Sequence, residues 1–182
     1  MNCRIDASDL RGRGPQLQRI LRPLSSEKAG PAWQSRSERA AAVIGMYGPG
    51  SPAASIRDWR FRTPANGLYG SYFERWMPVD ETRLTYYLDR AYFTLFSFEH
   101  NVEKEIIALH CDPNEPHGKR AVYKRRPHLH IVAAVQPLPH SHFALELLAS
   151  DEHIATTAFV TDAMSRALQM VRDEVVDSYS AA

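Results

Sequence analysis

Residues 128–147 read HLHIVAAVQPLPHSHFALEL, and the fold turns on how this stretch is phased. Two His-x-His pairs, His128/His130 and His140/His142, flank Gln136-Pro137-Leu138-Pro139. Proline fixes φ and removes a donor, so this run predicts the turn of a hairpin. Along a strand, successive side chains face opposite ways. Leu129, Ile131, Ala133 and Val135 therefore share one face, and His128 and His130 share the other. In the second run Phe143, Leu145 and Leu147 oppose His140 and His142. A register slip of one residue would send an apolar set into water. The two apolar sets meet only where paired residue numbers sum to an even value, as with Leu129 opposite Leu145. Every such register gathers all four imidazoles on one side of the sheet.

Working outward, residues 105–112 (EIIALHCD) predict the preceding strand, with His110 and Asp112 on one face. The polar loop over residues 113–126 adds His117, so six of the eight histidines fall between His110 and His142. Residues 83–88 and 91–99 are rich in β-branched and aromatic side chains and predict two strands or one long bent strand. A turn is expected at His100-Asn101-Val102-Glu103. After the hairpin and a connector at residues 149–153, one helix spans residues 157–179. Its stripe is Val160, Ala163, Met164, Ala167, Leu168, Val171 and Val175. The layout is α+β: an antiparallel four- to five-stranded meander sheet, with N-terminal helices and a long C-terminal helix packed on one face.

The N-terminal third is less regular. Residues 7–21 predict a short basic helix broken early by Gly12, Gly14 and Pro15, and residues 25–31 a loop. Ser35 with Glu38 has the form of a capping box, which predicts a helix over residues 36–47 ended by Gly48. The Pro/Gly-rich loop at residues 47–55 divides the chain into an arm, residues 1–55 with one or two helices, and an α+β body, residues 56–182. Trp59-Arg60-Phe61-Arg62 alternates aromatic and basic residues. It reads as a stacking element for single-stranded nucleic acid, or as an edge strand with surface arginines.

With 182 residues, 44% of them hydrophobic, the chain can build one domain core. A net charge of +1 excludes a partner held by overall charge, so attraction to nucleic acid must come from a local patch. Cys3 and Cys111 are too few for a disulfide framework and suit a reducing compartment. No apolar run approaches the roughly 20 residues of a membrane span, and no apolar leader opens the chain. A cytoplasmic protein with no membrane partner is expected.

Three readings of the histidines compete. In the first the chain binds and cleaves RNA, an endoribonuclease with no cofactor, because imidazole titrates near neutral pH and can move protons at the 2′-OH and the leaving oxygen. His128 and His130 are the expected proton-transfer pair, supported by His142 or His110. The basic run ahead of them, Lys119, Arg120, Lys124, Arg125 and Arg126 with Tyr123 among them, would bind phosphate. In the second, His128, His130, His140, His142 and Asp112 supply ligands to zinc or iron. In the third, the face is structural, covered by the arm or by another subunit in a non-catalytic assembly module.

The segment Asp112-Pro113-Asn114-Glu115-Pro116-His117, followed by Pro127-His128-Leu129-His130, resembles the TumE family of toxin–antitoxin toxins. That family shows a strand ending in Asp-Asn, a Pro-His pair, and a strand opening with Pro-His and a further His. This chain departs from it at Asp112-Pro113 and in the long basic insert, and the match covers about a tenth of the chain. The resemblance implies a toxin-like effector acting on RNA and held in check by a protein partner, for which the N-terminal arm is the expected contact.

Overall fold

A computed structural model describes residues 3–25, 30–36, 41–47, 59–116, 118, 121–131, 141–146 and 155–180. Among them nine strands form one antiparallel sheet. They are β1 (Arg4–Asp6), β2 (Gly30–Arg36), β3 (Ala41–Tyr47), β4 (Phe61–Arg62), β5 (Leu68–Pro78), β6 (Thr85–Glu99), β7 (Val102–Cys111), β8 (His128–Ile131) and β9 (Ser141–Ala144). The main path runs β2-β3-β5-β6-β7-β8-β9, while β1 pairs with β6 and β4 with β5. The α-helices are α1 (Ala7–Arg11), α2 (Arg13–Leu21), α3 (Ala121–Lys124), α4 (Thr157–Val171) and α5 (Asp177–Ser180). The α+β class and the C-terminal helix agree with the sequence reading, and the sheet has more strands than the expected meander. No helix among the described residues is long and apolar enough to cross a membrane.

The helix at α4 forms where its stripe predicts. Val160, Ala163, Met164, Ala167, Leu168 and Val171 are all buried. Thr156 caps it by accepting the Phe159 N–H at 3.1 Å. The chain continues through a π-helical turn at Arg172–Val176. These side chains share one core with Leu10, Leu17 and Leu21 of the N-terminal helices and with Phe93, Leu95, Leu109 and Cys111 of the sheet. The N-terminal helices break only at Gly12. Gly14 and Pro15 sit in the first turn of α2, where a missing N–H has no intrahelical partner to lose.

The expected helix at residues 36–47 is corrected: residues 41–47 are strand β3. Residues 41–46 are buried throughout, because β3 lies between β2 and β5 and is covered on both faces. Ala42, Ile44 and Met46 enter the main core, and Val43 packs on Trp59 from the other side. A strand buried on both faces loses its period of two and reads like helix. The loop at residues 48–55 and the turn at residues 136–139 lie outside the described residues, as does the connector at residues 149–153.

The aromatic pair of Trp59-Arg60-Phe61-Arg62 is core. Trp59 and Phe61 are each 1% exposed, so neither presents a face for a base to stack on. Arg60 lies over the rings of Phe96 and Phe98, at 5.0 and 5.4 Å, and pairs with Glu103. Residues 85–99 form one long strand, β6, hairpinned to β7. Glu99 pairs with Val102 across a two-residue turn in which His100 and Asn101 take φ of 52° and 65°. Positive φ at both central positions gives the turn the twist that a tight antiparallel hairpin needs.

Candidate functional site

The decisive register is the one across β6, β7, β8 and β9. Tyr92 pairs with His110, His110 with His128, and His128 with Ala144. One row along, Ala108 pairs with His130 and His130 with His142. Between them Leu109 pairs with Leu129, and Leu129 with Phe143, on the opposite face, where Leu109 and Leu129 join the core and Phe143 is 55% exposed. The paired numbers of the hairpin sum to an even value, as phasing requires. Leu129 sits opposite Phe143 instead of Leu145, a shift of two residues that preserves the faces.

The imidazoles therefore gather. Ring centroids are 4.4 Å apart for His110 and His130, 5.8 Å for His110 and His128, 5.1 Å for His128 and His142, and 5.3 Å for His130 and His142. Tyr92 stacks on His110 at 3.9 Å with the planes 16° apart. His140, His117, Lys119 and Arg120 lie outside the described residues.

Within the cluster the environments differ. His128 is fully buried, whereas His110, His130 and His142 are partly exposed. The Nδ1 of His128 lies 2.8 Å from the carbonyl oxygen of Arg126. A carbonyl only accepts, so Nδ1 carries the proton and Nε2 is left as a bare lone pair. That Nε2 is buried without a hydrogen-bond partner among the described residues. Burial lowers the His128 pKa, aided by the charge of Lys124 and opposed by the bond to Arg126. Burial thus favours the uncharged ring.

Asp112 follows β7 on the histidine face. Burial pushes its pKa up to about 6; a bond from the Tyr92 hydroxyl and the charges of Arg90 and Lys124 pull the other way. The Tyr92 hydroxyl donates to Oδ1 at 2.9 Å. Burial, with the Asp112 charge beside it, also raises the Tyr92 phenol. One ligand atom each from His110, Asp112 and His128 can be chosen so that all three lie within 4.8 Å of one another.

The described members of the basic run turn onto their own loop. Lys124 pairs with Glu115 at 2.8 Å, and Arg125 donates two bonds of 3.0 Å to the Glu115 carbonyl. Arg126 is 6% exposed and donates to the Val122 carbonyl at 2.8 Å. Tyr123 is exposed. Sequence reasoning missed Tyr92, which joins the site only through its pairing with His110. The β-bulge between Leu95 and Phe96 helps set that register, and no local signal announces it.

No family model, no curated protein and no solved structure matches the chain. The likeness to TumE toxins therefore rests on residues 112–117 and 127–130 alone.

Proposed function

We propose that this protein binds and cleaves RNA as a toxin-like endoribonuclease, with the imidazole cluster as its catalytic centre. The observation that carries the reading is the packing of four imidazoles, neighbouring centroids 4.4–5.8 Å apart, on one sheet face. A solvated sheet face is more cheaply built from Lys, Glu and Thr, and histidine adds proton transfer near neutral pH. Of the three partly exposed imidazoles His110 is stacked against Tyr92, so we assign proton transfer to His130 and His142 in place of His128/His130. One takes the 2′-OH proton as that oxygen attacks phosphorus, and the other gives a proton to the departing 5′ oxygen. His110 and buried His128 support them. Lys124, Arg125 and Tyr123 stand on the adjacent loop as the phosphate-binding elements. An inhibitor protein that contacts the N-terminal residues belongs to the same reading.

The test is cleavage of a labelled RNA by His130→Ala and His142→Ala. Loss of general acid–base catalysis costs about 10²–10⁴ in rate, with the fold kept by circular dichroism. Variants that cleave as fast as the parent chain end the proposal. A second reading, a non-catalytic assembly module with a structural histidine face, draws on the complete burial of His128. In that case the parent chain leaves RNA intact and the same variants change self-association instead.

A further inference from the structure

We infer that His110, Asp112 and His128 form a site for one divalent transition-metal ion of the zinc or iron(II) class. The inference goes beyond the RNA reading and holds whatever the substrate.

The placement follows from topology. His110 and His128 sit directly opposite one another on β7 and β8, and Asp112 lies two residues further along the same face. Their ligand atoms lie within 4.8 Å of one another. Bonds of about 2.0–2.2 Å to a tetrahedral ion need such atoms roughly 3.3–3.5 Å apart. Closure of at most about 1.5 Å completes the site. His110 and Asp112 are partly exposed and His128 is buried, so the small closure falls to the first two, within the limits their Tyr92 contacts set.

Each of the three has a partner that orients it, the feature that separates a built site from a chance cluster. The Arg126 carbonyl holds the His128 proton on Nδ1 and turns the lone pair of Nε2 inward, where it is buried and meets no donor among the described residues. The Tyr92 hydroxyl binds Oδ1 of Asp112 and so orients the carboxylate. The Tyr92 ring, stacked at 3.9 Å, fixes the plane of His110. One tyrosine thus sets two of the three ligands.

The donor set selects the ion. Two imidazoles and a carboxylate suit zinc, iron(II) or their neighbours, whereas calcium and magnesium take oxygen alone. Among the described residues the set has three protein ligands, which leaves at least one position open, as in catalytic sites, while structural zinc sites use four. His130 and His142 fall outside the three-atom set and stand beside it. The cluster therefore divides by role: His110, Asp112 and His128 hold an ion, and His130 and His142 meet a substrate.

The experiment uses the full chain, stripped with a chelator and titrated with Zn²⁺ alone by calorimetry and with Co²⁺ alone by visible absorption. One ion per chain and cobalt d–d bands are expected. His128→Ala, His110→Ala and Asp112→Asn each weaken zinc by more than about 100-fold, beyond what loss of an orienting partner does, and Tyr92→Phe weakens it about 10–100-fold. His142→Ala stays within a few-fold of the parent chain. Should His128→Ala fail to fold, Asp112→Asn and Tyr92→Phe carry the test. Absence of saturable uptake overturns the site, as does loss of uptake in His142→Ala with retention in Asp112→Asn. RNA cleavage is scored separately. A chain that loads zinc and leaves RNA intact keeps the ion site and loses the ribonuclease. A chain that cleaves RNA undiminished in chelator and takes up no zinc keeps the ribonuclease and loses the ion site.

Discussion

Removing either half of the buried Arg13–Glu74 pair should nearly unfold this protein, and removing the charge from both should restore much of the loss. Arg13 on α2 is 2% exposed and Glu74 on β5 is 0% exposed. The guanidinium is bidentate, Nε to Oε2 at 2.9 Å and Nη2 to Oε1 at 2.7 Å. Glu74 also accepts from the Tyr72 hydroxyl at 2.8 Å and the Trp76 indole at 2.9 Å. Arg13 reaches α4 through a 2.6 Å bond from Nη1 to the Thr161 hydroxyl. Burial works against the guanidinium charge, and the Glu74 charge and bonds outweigh it, so Arg13 stays charged. Glu74→Gln keeps the shape and an acceptor oxygen but strands a buried cation, which costs about 3–5 kcal/mol. Arg13→Met strands the carboxylate at a similar cost. The double variant has no charge to strand, and its side-chain amide oxygen at position 74 still accepts a bond from Tyr72 or Trp76. A coupling energy of at least about 2 kcal/mol is expected. Total stability is about 5–15 kcal/mol, so each single change consumes a large share of it. Urea unfolding followed by circular dichroism measures this: with slopes of about 1–3 kcal/mol/M, each single change lowers the midpoint by at least about 1 M. Single variants each losing under about 1 kcal/mol, with additive effects, would refute the claim that this pair fastens α2 and α4 to the sheet.

Two further outcomes are expected. Gly45→Ala places a Cβ 2.4 Å from the Trp59 ring and 2.6 Å from the Tyr72 carbonyl oxygen; overpacking of this kind costs about 1–3 kcal/mol, and an unchanged urea midpoint would contradict it. Cys3 and Cys111 are both fully buried, and burial followed by nearby carboxylate charge raises both thiols, Cys3 to about 12; a disulfide reagent at mildly alkaline pH should therefore find no thiol in the folded chain and two in urea, and rapid labelling of the native protein would count against the burial.

The parts of the fold legible in sequence are those where one face is wet. The stripe of α4 carries a clear period because that helix buries a single side, and the alternation of His128 to Leu145 is legible from its apolar spacing although His128 itself is buried and Phe143 exposed. Strand β3 reads as helix for the opposite reason: Val43 and Ile44 are buried on opposite faces, and Gly45 is glycine because Trp59 lies against it. The N-terminal residues read as an arm because what ties them down is remote. Glu74 is 61 residues from Arg13, and Leu84 and Leu88 pair by backbone with Ala7 and Cys3. No window of sequence holds both partners.

The site was half legible for a related reason. Parity alone puts His128, His130 and His142 on one side, because any register that buries Leu129 with Phe143 or Leu145 does so. Parity cannot say which imidazole is buried. That depends on the loop after β7, whose basic residues look like a solvated run. In the structure this loop folds back: the Asp112 N–H donates to the Lys124 carbonyl and the Arg125 N–H to the Ala121 carbonyl. The return brings the Arg126 carbonyl onto His128. A segment conspicuous for its charges thus contributes a backbone oxygen that fixes a tautomer, and charge content gives no sign of that role. Whether the cations of the loop also meet phosphate is separable from it. Arg125→Ala removes the two bonds to Glu115 and one positive charge, but leaves the Arg126 carbonyl in the chain. Weaker RNA binding with zinc affinity unchanged would assign Arg125 to phosphate. A fall in zinc affinity would show that the loop's main work is to hold His128.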